Sequence, residues 1–145
     1  MANTEAPSMF QRVLVAIDGS RQGSKTAAVA LDLAKRYGSR VTVVHVREHG
    51  RYEGDDVDLG PATPAQELID EAVERFRAEG IPAEGVLRRV SPGGTPEQIV
   101  LVAEDSHAQL IIMGTRGMTE WKSLLLGGVA NKVVTHAPCP VLLVR

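Results

Sequence analysis

Two short apolar runs restrict the possible folds of this chain more than any other feature. Residues 13–17 read Val-Leu-Val-Ala-Ile and residues 41–46 read Val-Thr-Val-Val-His-Val. Both are rich in β-branched residues and nearly continuous in apolar character, as strands buried on both faces require. Between them, Ala27, Ala30, Leu31 and Ala34 recur at helical spacing, with Ser20 placed to cap the start and Gly38 to end the helix. Two buried strands joined by an amphipathic helix form a βαβ unit, and such a unit requires a parallel pair with a right-handed crossover.

The alternation continues. Residues 47–63 are polar, charged and rich in glycine, which predicts a long connecting loop. From Pro64 a second helix is expected, burying Leu68, Ile69, Ala72, Val73 and Phe76 and closing at Gly80 and Pro82. Residues 86–90 (Val-Leu-Arg-Arg-Val) predict a weaker, charged strand suited to a sheet edge. A third helix is expected with Thr95 as its N-cap, Pro96 first inside and Gln98 third, facing inward through Ile99, Val102 and Ala103. Residues 110–113 form the fourth predicted strand. The last helix is expected to turn Val129, Val133 and Val134 inward, and Val141 to Val144 is the fifth strand. The order β-α-β-α-β-α-β-α-β specifies one doubly wound α/β domain. A chain of 145 residues has room for one such core. Residues 1–9 read as a loose polar tail and 10–145 as the domain. The start lacks a basic segment followed by an apolar one, so a cytoplasmic location is the expectation.

Composition narrows the function. A net charge of −2 and scarce aromatic residues give no basic surface or stacking platform for nucleic acid. No apolar stretch is long enough to span a membrane. Cys139 is the only cysteine, which excludes an intrachain disulfide. Its place between Pro138 and Pro140 suits a small buried apolar residue.

The chemistry concentrates in residues 114–129, Gly-Thr-Arg-Gly-Met-Thr-Glu-Trp-Lys-Ser-Leu-Leu-Leu-Gly-Gly-Val. A strand precedes this stretch and a helix start follows it. Glycines let a ligand reach bare main-chain N–H groups, and a helix start supplies unpaired donors and the positive end of the helix dipole. An anion, phosphate above all, fits such a place. The same glycines could instead serve only tight turns.

Taken together, these motifs resemble the universal stress protein family. The matching features are Gly114-x2-Gly117-x9-Gly127 with its flanking strand and helix, the opening 13–20 (Val-Leu-Val-Ala-Ile-Asp-Gly-Ser), and the His45-Val46 strand end. Gly94-Thr-Pro96-Glu and Pro138-Cys-Pro-Val also match. The resemblance covers about residues 10–145. It implies a five-stranded parallel sheet of order 3-2-1-4-5, a homodimer through Val141 to Val144, and ATP as ligand in the nucleotide-binding branch. In that order the first and fourth strands open a crevice at their carboxyl ends, which Asp18 and Gly114 both reach.

Carried over by position, Gly114 and Gly117 would bring backbone N–H groups to the phosphates, with Gly127 and Gly128 closing on the distal ones. Asp18 would bind a ribose hydroxyl or help hold a phosphate-bound Mg²⁺. The Val46 backbone would meet the adenine edge, Ala16 and Met113 would pack near the base, Val129 would support the phosphate turn, and Arg116 could add charge-assisted bonds. ADP is an alternative ligand to ATP. Gly128 departs from the Ser or Thr of the nucleotide-binding pattern, and Ala16 stands where proline is common.

Other signals point elsewhere only weakly. Gly19-Ser-Arg-Gln-Gly-Ser-Lys-Thr26 has three residues between its glycines where a P-loop needs four, and Ser24 splits Gly23 from Lys25. His45 and His49 lie on a strand end and loop, where their spacing does not converge on a metal. Asp55, Asp56 and Asp58 read as a solvated loop, and Trp121 with residues 124–126 as packing against the domain or a dimer mate. His136 suits the C-terminus of the last helix. No nucleophile–base pair is evident around Ser20, Ser91 or Ser123, so the chain is at most a weak ATP hydrolase. The reading is a homodimeric ATP-binding regulator meeting an unidentified protein partner. The alternatives are a nucleotide-free dimerisation module and a slow ATPase.

Overall fold

A computed structural model describes residues 9–48, 64–115 and 127–145. Its elements are β1 (Arg12–Ala16), α1 (Arg21–Tyr37), β2 (Arg40–Glu48), α2 (Pro64–Ala78), β3 (Ala83–Val90), α3 (Thr95–Asp105), β4 (Leu110–Gly114), α4 (Gly128–His136) and β5 (Val141–Val144). The strands form one parallel five-stranded sheet in the order β3-β2-β1-β4-β5. The doubly wound α/β architecture and the strand order match the expectation.

Strand alternation sorts the core into two layers. Val13, Val15, Val41, Val43 and Ile112 face α1 and α2, where they meet Ala30, Ala34, Ile69, Val73 and Phe76. Leu14, Val44, Ile111 and Met113 face α3 and α4, where they meet Ile99, Val102, Ala130 and Val133. Both faces of the central strands are covered, so their middle stretches are apolar at nearly every position. β1 sits centrally, pairing with β2 on one side and β4 on the other.

α1, α2 and α3 end alike. Gly38 takes a φ of 62° after α1, and the Ser39 N–H returns to the Ala34 carbonyl. The Ile81 N–H returns to Phe76 after α2, and the Ala108 N–H to Ala103 after α3. These six-to-one bonds close Schellman motifs and satisfy orphan carbonyls. After α3 the left-handed position falls on His107, at φ 52°.

The structure corrects some local expectations. Gly94 is the N-cap of α3 and Thr95 is already inside the helix, so the Thr95 hydroxyl is free to bond elsewhere. Val134 points out and is 44% exposed; Ala130 and Val133 make the buried face of α4. β2 runs two residues beyond Val46 and β3 begins three before Val86, because each continues the ladder with the other. Thr26, deep in the core, was not foreseen.

Candidate functional site

The carboxyl ends of β1, β2 and β4 meet on one rim of the sheet. β1 ends in a turn set by local hydrogen bonds: Asp18 Oδ1 accepts the Ser20 N–H at 2.9 Å, and Ser20 Oγ accepts the Gly23 N–H at 3.2 Å. Ser20 is the N-cap of α1, as its sequence position predicts. Asp18 is thereby half-buried and oriented, with Oδ2 left without a described partner. The Ile17 N–H continues the ladder to the Val44 carbonyl at 3.0 Å.

On the β4 side, the Thr115 N–H donates to the Val144 carbonyl at 2.9 Å, and the Gly127 N–H donates to the Thr115 carbonyl at 2.6 Å. The two ends of the glycine stretch are therefore tied together. This sets the start of α4 directly at the end of β4. Gly127 caps α4 from an extended conformation, φ −67° and ψ 162°, and offers no side-chain cap. The first turn of α4 thus presents its backbone donors uncapped by a side chain, with the positive end of the helix dipole behind them. Among the described residues a Cβ placed on Gly128 would meet nothing within 4 Å, so a small side chain has space there.

The sequence-predicted site residues fall into two groups. Ala16, Asp18, Val46, Gly114, Gly127, Gly128 and Val129 lie along the rim, with Met113 just beneath it. Ala16, Val46 and Val129 border the core layer that contains Met113, on the side of the sheet covered by α3 and α4. Arg116 and Gly117 lie outside the described residues, as do His49, Asp55, Asp56, Asp58, Trp121, Ser123 and residues 124–126. Lys25 is exposed on α1, away from any P-loop arrangement.

Two rim contacts had no sequence signal strong enough to predict them. His45 Nδ1 lies 2.7 Å from the Ile17 carbonyl oxygen; a carbonyl only accepts, so Nδ1 carries the proton. Glu48 Oε1 accepts both the Gly93 N–H and the Thr95 hydroxyl, each at 3.0 Å. Beside that turn an open cavity of about 570 Å³ is lined by Arg89, Ser91, Gly93, Gly94, Glu97 and others. At the other end of the sheet, His136 Nδ1 bonds the Lys132 carbonyl at 2.9 Å within the last turn of α4, favourable with its dipole. Cys139 is a half-buried free thiol, and burial pushes its pKa up. No described helix is long and apolar enough to cross a membrane.

A sequence model of the universal stress protein family matches residues 9–145. The chain belongs to the universal stress protein family. A universal stress protein of Thermus aquaticus, from the 3′ region of a QAH/OAS sulfhydrylase gene, is 41% identical across 94% of this chain and 100% of its own length. The fold is shared with the solved protein MJ0577 at a TM-score of 0.82, with 22% identity over 94% of this chain and 96% of that one. A universal stress protein of Archaeoglobus fulgidus solved in complex with dAMP aligns at a TM-score of 0.69. It is 27% identical, over 94% of this chain and 99% of that one. In this universal stress protein the rim of β1, β2 and β4 is thus the surface on which ligand chemistry must be sought, since it lies at the topological switch point of an open α/β sheet.

Proposed function

We propose that this universal stress protein is a homodimeric, cytoplasmic regulator that binds an adenine nucleotide, ATP or ADP, at the β1–β4 rim. The observation that carries the reading is the uncapped start of α4, tied by Gly127 to Thr115 beside the turn of Asp18. Backbone N–H donors with a helix dipole behind them suit phosphate, and a carboxylate one strand away suits a ribose hydroxyl or a phosphate-bound Mg²⁺. Free space at Gly128 leaves room for the distal phosphates. Gly114 and Gly117 would supply further main-chain donors and Arg116 a charge. The dAMP complex of the Archaeoglobus fulgidus relative supports a nucleoside phosphate as the ligand class.

Asp18 and the N–H groups can hold and orient a nucleotide, but no described side chain pairs a nucleophile with a base. Binding, and not turnover, is therefore the proposed activity, exerted through an unidentified protein partner. The dimer would form at β5, the edge strand, where Leu142 is 37% exposed. An apolar edge strand is satisfied by pairing with its copy.

The test is to denature freshly purified protein and resolve the released small molecules by anion exchange, then titrate the emptied protein with ATP and Mg²⁺ by calorimetry. Released nucleotide or a saturable heat is expected. Neither, in folded protein, would leave a nucleotide-free dimerisation module. Light scattering of wild type against Leu142→Glu tests the dimer, which the charge should split.

A further inference from the structure

We infer that Glu48 reads the amino edge of the base and so sets the preference for adenine; the inference rests on the nucleotide reading above. Two observations carry it. First, Val44 and Val46 face the α3/α4 layer, so alternation puts Glu48 on that same face, two residues or roughly 6.6 Å further along β2. That is the face that holds Ala16, Val46 and Met113, the residues proposed to lie nearest the base. Second, Oε1 alone takes both bonds from the β3–α3 turn, from the Gly93 N–H and from the Thr95 hydroxyl. Gly93 stands at φ 88°, and a Cβ on Gly94 would press on Val90 and the Ser91 carbonyl, so the turn that grips Oε1 is itself stiff. The carboxylate is held in one orientation, and Oε2 is left without a described partner.

A fixed acceptor that projects from the rim discriminates between donors and acceptors on a ligand. The exocyclic amine of adenine donates a hydrogen bond; the carbonyl that replaces it in hypoxanthine or guanine accepts. Oε2 therefore attracts the first and repels the second, with the added strength of a charged acceptor. Glu48 is in this sense a specificity residue, separate from the phosphate-binding glycines.

The orientation of the carboxylate makes the test sharp. In Glu48→Gln the Gly93 and Thr95 donors still require an acceptor, so the amide oxygen takes the place of Oε1. The NH₂ group then occupies the place of Oε2 and turns the acceptor into a donor. ATP and ITP, which differ at this edge of the base, are titrated against the full chain, and the Gly93 amide is followed by NMR to report the turn. Wild type should bind ATP at least tenfold more tightly than ITP. Glu48→Gln should keep the Gly93 amide environment and bring the ratio to unity or below. Glu48→Ala should shift that amide and also lose the preference. A wild-type ATP preference retained in Glu48→Gln, or equal binding of ATP and ITP by wild type, overturns the role of Glu48 while leaving nucleotide binding intact. Failure of wild type to bind either nucleotide overturns the proposed function, and this inference with it.

Discussion

The Nδ1 atom of His45 stands 2.7 Å from the carbonyl oxygen of Ile17, joining β2 to the first residue beyond β1. The Ile17 N–H is held by Val44, so both main-chain groups of Ile17 are fixed by β2. Asp18 follows immediately, and its position therefore depends on an imidazole on the neighbouring strand. His45→Phe keeps a ring but removes the donor. It should cost about 1–2 kcal/mol of stability, since it strands a carbonyl that has no other described partner. It should also weaken ATP several-fold by loosening Asp18. Chemical denaturation and calorimetry together check this. Full stability with full affinity would mean that the bond does not hold the turn.

Gly128 is the place to strengthen the site. A Cβ there meets nothing within 4 Å, and the residue lies inside the first turn of α4, where serine is tolerated. Gly128→Ser restores the hydroxyl of the nucleotide-binding pattern, and a hydrogen bond to a charged phosphate is worth about 1.5–3 kcal/mol. ATP affinity should rise by about 10- to 150-fold. Because Gly128 is proposed to meet the distal phosphates, AMP affinity should stay as in wild type. An equal gain for AMP would place the hydroxyl elsewhere on the ligand.

These two residues also mark how far the sequence could be read. The fold was legible because its signals are periodic. Runs such as 13–17 and 41–46 are apolar at nearly every position, as the strands of a doubly covered parallel sheet need to be. The glycine stretch was legible as motif chemistry. The contacts of His45 and Glu48 were not, because each joins residues brought together by strand register, 28 and 45 apart in the chain. A polar residue at the end of an apolar strand is compatible with many partners until the neighbouring strand is placed. Thr95 was misplaced by one residue for a related reason: its hydroxyl serves Glu48 instead of its own helix. Val134 was misplaced because the buried stripe of α4 is narrow, centred on Ala130 and Val133, and Val134 stands about 100° around the helix from Val133.

Gly85 lies in β3 under α2, and a Cβ there would collide with the Ile69 side chain and press on Val73. The close approach lets α2 settle on a sheet edge that carries charge elsewhere. Gly85→Ala should destabilise by about 1–3 kcal/mol through overpacking, with nucleotide affinity unchanged because β3 lies apart from the proposed phosphate-binding rim. Pairing it with Ile69→Ala should show strong non-additivity, the double variant losing less than the sum of the two single ones. Urea denaturation of the four proteins checks both statements. Additive losses would mean that Gly85 is not required for the packing of Ile69.

Cys139 gives a prediction in pH. Burial raises the pKa of its thiol above the ordinary 9.0, since the half-buried site disfavours the thiolate. In the unfolded chain the thiol ionises near its ordinary value, while in the folded protein it keeps its proton to higher pH. The folded state therefore binds more protons above about pH 9, and stability must fall as pH rises there. Below that value both states are protonated, and the contribution is fully present and flat. The loss is complete only once pH has passed the folded value. Cys139→Ala removes this slope, so wild type and variant should show parallel stability profiles from pH 6 to 8 and diverge above pH 9, wild type falling faster. Alkylation of native protein by iodoacetamide at neutral pH should likewise be slower than that of a free cysteine, because the thiolate is the nucleophile. Fast labelling in folded protein would show that the thiol meets solvent unhindered, and the divergence above pH 9 should then vanish as well.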